Sequence, residues 1–134
     1  MRIYSDGGSR GNPGPSAIAF LILSETDKIL ARHCEYVGCG TNNQAEYKAL
    51  ISAFEGASEF GSEGVRCFLD SELVVKHLTG EYKVRDPELR DLWVRVRELQ
   101  KRFRRVSFIH VPRTNQHTTE VDSMINQVLD HLAL

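Results

Sequence analysis

The sequence predicts a mixed α/β domain in which a five-stranded sheet, three antiparallel strands followed by two parallel ones, is flanked by helices. Three observations carry this. Apolar residues come in short strand-like runs as far as Val37 and at helical spacing from Asn43 onward. Turn-forming residues separate the runs, above all GGSRGNPG after Asp6. The resulting order, βββαβααβα, folds with short connections only as a meander extended by parallel strands with helical crossovers.

Each element has a local reason. Residues 1 to 6 form an apolar strand that ends in Asp6, and Ala17 to Leu23 and Ile29 to Val37 follow around the polar turn Ser24 to Lys28. From Asn43, the residues Ala45, Ala49, Leu50, Ala53, Phe54 and Ala57 share one helical face, and Gly61 marks the stop. Glu46 lies beside Leu50 and Ala53 on that wheel, so it points toward the sheet. Val65 to Leu69 is a fourth strand closed by Asp70, and Asp70 or Ser71 caps a short helix reaching His77. Asp86 and Pro87 open a longer helix through Arg102, with Leu89, Leu92, Trp93, Val96 and Leu99 facing inward. Val106 to Val111 is the fifth strand, stopped by Pro112. A last helix starts near Thr119 and buries Val121, Met124, Ile125, Val128 and Leu129.

At 134 residues with 41% hydrophobic and 26% charged side chains, the chain reads as one globular domain over 1–134. No apolar run approaches the roughly 18 residues that span a bilayer, and no leader pattern opens the chain, so a cytoplasmic protein without membrane contact is expected. Cys34, Cys39 and Cys67 have neither zinc-site nor disulfide-framework spacing, and are expected as reduced, mostly buried thiols. The net charge of -1 argues against a generally basic nucleic-acid binder. Its distribution argues the other way: Lys76 to Arg113 holds eleven Lys/Arg against five Asp/Glu, and the rest six against thirteen. A positive flank beside a negative pocket suits a polyanion cut at a cation.

That pocket is built from Asp6, Glu46, Asp70 and Asp122, each at a strand end or a helix start, where functional groups gather in such sheets. Singly, each has an ordinary explanation: an Asx-turn at Asp6, a capping box pairing Glu46 with Asn43, a cap at Asp70, a helix-dipole contact at Asp122. Together they crowd negative charge, which destabilises a fold unless a cation is bound. Oxygen ligands with no His or Cys cluster favour Mg²⁺ or Mn²⁺, and such ions serve phosphoryl transfer. Glu120 competes with Asp122, but Asp122 shares a helix side with Ile125 and Leu129. No phosphate-cradling glycine motif or serine-hydrolase elbow is present.

The segments IYSDGGSRGNPGP, TNNQAEYKAL and FLDSELVVKHLTGEYKV resemble, in order and spacing, the successive motifs of type 1 ribonuclease H. The resemblance runs from the first strand to the last helix. It implies the ribonuclease H-like fold and hydrolysis of the RNA strand of RNA–DNA hybrids by two divalent ions, Mg²⁺ with Mn²⁺ as substitute, leaving 5′-phosphate and 3′-hydroxyl ends. It implies that Asp6, Glu46, Asp70 and Asp122 bind the metal, with Asp6 bridging both ions. Asn12, Asn42, Asn43 and the peptide groups of Gly7, Gly8 and Ser9 would meet the minor groove, and Thr41 a phosphate of the DNA strand. Ser71 and Glu72 would touch substrate too. His117, in the loop before the last helix, would move protons or help product leave.

The chain departs from the family at three points. Glu72 stands where Gln is usual, Val121 replaces the small residue before Asp122, and no basic protrusion follows Gly80. Lys83, Arg85, Lys101, Arg102, Arg104 and Arg105 are candidates to replace its affinity. The expected state is a monomer. Double-stranded RNA stays open as a further substrate, and a silent hybrid-binding module as the alternative function.

Overall fold

The computed structural model describes residues 1–132. Its elements follow in the order β1 (Arg2–Ser9), β2 (Gly14–Leu23), β3 (Ile29–Gly40), α1 (Asn42–Ala57), β4 (Gly64–Leu69), α2 (Glu72–Leu78), α3 (Pro87–Gln100), β5 (Arg105–His110) and α4 (Gln116–Leu132). The sheet order is β3-β2-β1-β4-β5. β1, β2 and β3 pair antiparallel, whereas β4 runs parallel to β1 and β5 parallel to β4. The predicted mixed sheet is therefore the observed one. Among the described residues, no helix is long and apolar enough to cross a membrane.

Two cores form because strand side chains alternate between faces. Ile3, Ile22, Cys67 and Leu69 meet Leu50, Phe54, Val96 and Leu99 on the side of α1 and α3. Tyr4, Ala19 and Leu21 meet Val121, Ile125 and Leu129 of α4 on the other. This alternation fixes the polar ends of the central strands. Asp6 follows Tyr4 by two within β1, so its carboxylate belongs to the α4 side, and Asp70 lies just past the end of β4.

Local chemistry moves several boundaries from those predicted. β1 continues through Gly7 and Gly8 to Ser9, because Gly8 and Ser9 still pair with Ala17 and Ser16 of β2. The helix expected from Asn43 starts one residue earlier, under a capping box made by Thr41 and Gln44 rather than by Asn43 and Glu46. Ser71, not Asp70, caps α2, which frees the Asp70 carboxylate. α4 starts at Gln116 rather than near Thr119, since the Asn115 side chain accepts the N–H groups of His117 and Thr118. His117 accordingly lies in a helix, not a loop, and Asp122 lies beyond the first helical turn, which removes the dipole explanation for it. The thiols also differ from expectation: Cys67 is buried, but Cys34 and Cys39 are exposed on the edge strand β3.

Gly7 is the tightest point between sheet and helix. A Cβ there would lie 2.1 Å from the Ala45 carbonyl oxygen and 2.6 Å from the Glu46 amide nitrogen. Only glycine lets α1 approach β1 this closely. Gly7→Ala is expected to lower stability by about 1–3 kcal/mol, the usual effect of forcing extra atoms into packed structure. Urea unfolding checks this, and an unchanged midpoint would refute the close approach.

Candidate metal centre and nucleic-acid surface

The close approach at Gly7 brings the first two carboxylates together. Asp6 is 6% exposed and Glu46 4% exposed, so both are taken almost wholly out of water. Asp70, level with Asp6 across the parallel β1–β4 pair, completes the group: one carboxylate oxygen from each of Asp6, Glu46 and Asp70 lies within 4.8 Å of the others. The Gly7 amide donates to Asp6 Oδ1 at 2.9 Å. Glu46 Oε2 is buried and meets no hydrogen-bond donor, an orphaned acceptor of the kind a hard cation satisfies.

The electrostatics carry the same message. Burial, followed by the charges of Asp70 and Asp122, pushes the Asp6 carboxyl up to about 7, against a partial offset from hydrogen bonding with Glu46. Burial and then the charge of Asp6 push Glu46 well above the ordinary carboxylate range. Proton uptake by the pair relieves the repulsion when no cation does. The donor set is all oxygen and anionic. It fits Mg²⁺ or Mn²⁺ and offers nothing to a metal that prefers nitrogen or sulfur.

Asp122 stands apart from this tight group. It is exposed on α4, where its Oδ2 accepts from Asn126 Nδ2 at 3.3 Å, yet it is near enough to raise Asp6. Glu120, its competitor in the sequence, is turned to the Arg32 guanidinium on β3 at 3.3 Å. His117 is half-buried, with its ring centroid 4.7 Å from that of Tyr4 and its Nδ1 buried without a partner. The imidazole is thus packed on the sheet rather than free in a loop.

The residues expected to touch substrate fall into one strip at the same end of the sheet. Asn12 Oδ1 accepts the Asn42 amide at 3.0 Å, and Asn42 Oδ1 accepts the Ser9 amide at 3.3 Å, so the turn after β1 is tied to the start of α1. Gly8 adjoins this link, Thr41 caps α1, and Asn43 lies in its first turn. On the far side of the carboxylates, the Ser71 hydroxyl accepts the Val74 amide. Glu72 is held along its own helix by Lys76 at 2.8 Å. Beyond α2 a groove of about 390 Å³ is lined by Tyr82, Lys83, Val84 and Trp93, with the Arg90 and Arg97 guanidinia over the indole at 5.8 and 5.1 Å. A larger cavity of about 1050 Å³ lies at the opposite end of the strands, around Met1, Gly64 and Arg105, away from the carboxylates.

Comparison with known proteins gives the family. A family profile described as reverse transcriptase-like matches residues 4–127. Ribonuclease HI of Halobacterium salinarum is 46% identical over 131 residues, covering 97% of this chain and 64% of that protein. The crystal structure of RNase H1 from that organism superposes with a TM-score of 0.92 at 44% identity, covering 97% of each chain. The chain belongs to the type 1 ribonuclease H family. A second member, LC11-RNase H1 solved in complex with an RNA/DNA hybrid, matches with a TM-score of 0.91 at 34% identity over 99% of each chain. The bifunctional protein Rv2228c of Mycobacterium tuberculosis is 36% identical over 132 residues, and there this chain spans 36% of the relative's length. The ribonuclease H unit thus makes up about two thirds of one relative and a third of another.

One residue at the site was not singled out from the sequence. Arg113 Nε lies 3.5 Å from Asp70 Oδ2. The clue was the parallel β4–β5 pair, since segments leaving adjacent parallel strands emerge side by side.

The raised carboxyls predict a pH dependence. A folded state that holds protons more tightly than the unfolded chain loses stability as pH rises from the ordinary Asp value of 3.8 toward about 7. With a chelator present, the melting temperature of the protein should fall over that interval. Asp6→Asn should flatten the fall and melt higher than the parent at pH 8. Thermal melts across the range decide it, and a parent profile with no such fall would mean that the carboxylates do not crowd.

Proposed function

We propose that this chain is an endoribonuclease that hydrolyses the RNA strand of RNA–DNA hybrids with the help of two divalent ions, leaving 5′-phosphate and 3′-hydroxyl ends. The carrying observation is the buried cluster of Asp6, Glu46 and Asp70, with its orphaned Glu46 oxygen, at the end of the sheet where the polar strip of α1 and the β1 turn also lies. Family membership and the hybrid bound to LC11-RNase H1 support the substrate class.

In this reading Asp6, Glu46 and Asp70 would hold the ions, and Asp122 would add its carboxylate on the α4 side. When bound, the ions supply activation of the attacking water and charge stabilisation at the leaving oxygen. The chain's own groups do the rest. Gly7 fixes the distance between Asp6 and Glu46, and the Gly7 amide orients one Asp6 oxygen. Asn12, Asn42, Asn43 and the peptide groups of Gly7 to Ser9 present donors and acceptors to the minor groove, where 2′-hydroxyls mark RNA. The Thr41 hydroxyl, whose oxygen accepts the Gln44 amide, keeps its proton for a phosphate oxygen. Lys83 and Arg90, which line the α3 groove, and Arg85, which lines the adjoining cleft with Lys83, add sequence-independent attraction for the backbone. Glu72, drawn to Lys76, leaves the minor groove without a negative charge projecting into it.

A labelled hybrid incubated with magnesium should be cut by the parent protein, and cutting should cease with chelator. Asp6→Asn and Asp70→Asn should each lose at least about a hundredfold in rate, as when a preorganised electrostatic group is removed, while their folds survive by circular dichroism. Binding by these variants should weaken steeply with salt. Near-parental cutting by both variants would refute the assignment, and hybrid binding without any cutting by the parent would reduce the chain to a binding module. Parallel assays on RNA duplex and DNA duplex fix the range of substrates.

A further inference from the structure

We propose that Arg113 is a built-in counterion of the carboxylate cluster, a positioning residue that pairs with Asp70 while the site is empty of cations and is exchanged for the divalent ion when it loads. This rests on the reading of Asp6, Glu46 and Asp70 as a cation site. Among the described residues, Arg113 is the one Lys or Arg whose side chain comes within 4.0 Å of any of these three carboxylates.

The local fold puts it there. Leu69 and His110 are paired at the ends of the parallel strands β4 and β5. The Val111 amide carries the ladder one step further by donating to the Leu69 carbonyl at 2.9 Å, and Pro112 then ends it. The next residue, Arg113, has its carbonyl held by the Thr119 hydroxyl at 3.0 Å, while the Asn115 amide donates to the Pro112 carbonyl at 3.0 Å. Its backbone is therefore anchored on both sides. Across the gap, His110 Nε2 lies 3.2 Å from the Asp70 carbonyl oxygen.

The side chains differ sharply in exposure. The Arg113 side chain is 90% exposed and that of Asp70 only 8% exposed. The contact is single, through Nε at 3.5 Å, not the paired fork that makes an arginine–carboxylate bond strong. A guanidinium so placed still feels a cluster of negative charge, but it can leave into water at little cost. A divalent ion on Asp70 needs the same carboxylate and repels the guanidinium. Arginine and ion therefore compete, and by linkage the stabilisation that Arg113 gives the empty site is subtracted from the ion's apparent affinity.

The test is magnesium titration of the whole chain by calorimetry, without substrate, for the parent, R113Q and R95Q. Arg95, on α3, pairs with Glu55 of α1 and Glu98 of its own helix, so its variant removes one positive charge without touching the cluster. R113Q should bind magnesium about threefold more tightly than the parent, the size of change a weak, exposed ion pair gives, and R95Q should match the parent. In chelator R113Q should melt below the parent, and the two should converge at saturating magnesium. Unchanged or weaker binding by R113Q would overturn the exchange while leaving the cation site intact. Equal tightening in R95Q would overturn it too, by reducing the effect to net charge. No magnesium binding by the parent would instead overturn the cation site itself.

Discussion

The whole site depends on one contact distance, that between β1 and α1 at Gly7. With no side chain between strand and helix, the Asp6 and Glu46 carboxylates are buried against each other, and their desolvation is what raises both. Any larger residue at this position would widen the gap, let water in and relax the crowding. The instability stored in the carboxylate pair and its capacity to hold a cation are thus one property, because relief of repulsion is a large part of what an arriving ion provides. The rest of the fold serves this contact: the parallel pairing of β1 with β4 sets Asp70 level with Asp6, and the α1 face from Ala45 to Ala57 packs the helix hard onto the sheet.

Much of this was legible in the sequence because it is periodic. Strand alternation and helical spacing gave the element order, the mixed sheet and the inward direction of Glu46, and all three depend only on which residues prefer water. What the sequence hid was competition between neighbouring polar residues for the same backbone amides. Thr41 rather than Asn43 caps α1, Ser71 rather than Asp70 caps α2, and Asn115 starts α4 before any apolar residue announces it. These choices matter for chemistry. A Ser71 cap leaves Asp70 free for the cluster, and an Asn115 cap draws His117 into a helix against Tyr4. The exposed Cys34 and Cys39 were hidden for a different reason, since only the sheet order shows that β3 lies at an edge.

The acidic excess is scattered over turns, helices and strands, with Asp6, Glu46 and Asp70 gathered into one cluster, and the basic excess of the stretch from Lys76 to Arg113 lies on α3, its approach, β5 and the segments that flank β5. Between them, Lys76 holds Glu72 down along α2 and places its own ammonium 4.9 Å from the Tyr82 ring. Glu72 is thereby paired along its own helix.

The four carboxylates are not equivalent, and the structure explains why. Asp6, Glu46 and Asp70 hang from the central strands and the helix pressed on them, so their spacing is set by backbone pairing and close packing. Asp122 hangs from α4, which is fixed to the sheet by the apolar contacts of Val121, Met124, Ile125 and Leu129 and by exposed ion pairs such as Arg10 with Asp130 and Arg32 with Glu120. Side-chain packing of this kind tolerates small sliding far better than a hydrogen-bonded ladder does. The rigid three form the tight cluster, with one oxygen from each within 4.8 Å of the others. The fourth has its carboxylate in water, where it accepts from Asn126 Nδ2 at 3.3 Å, outside that cluster.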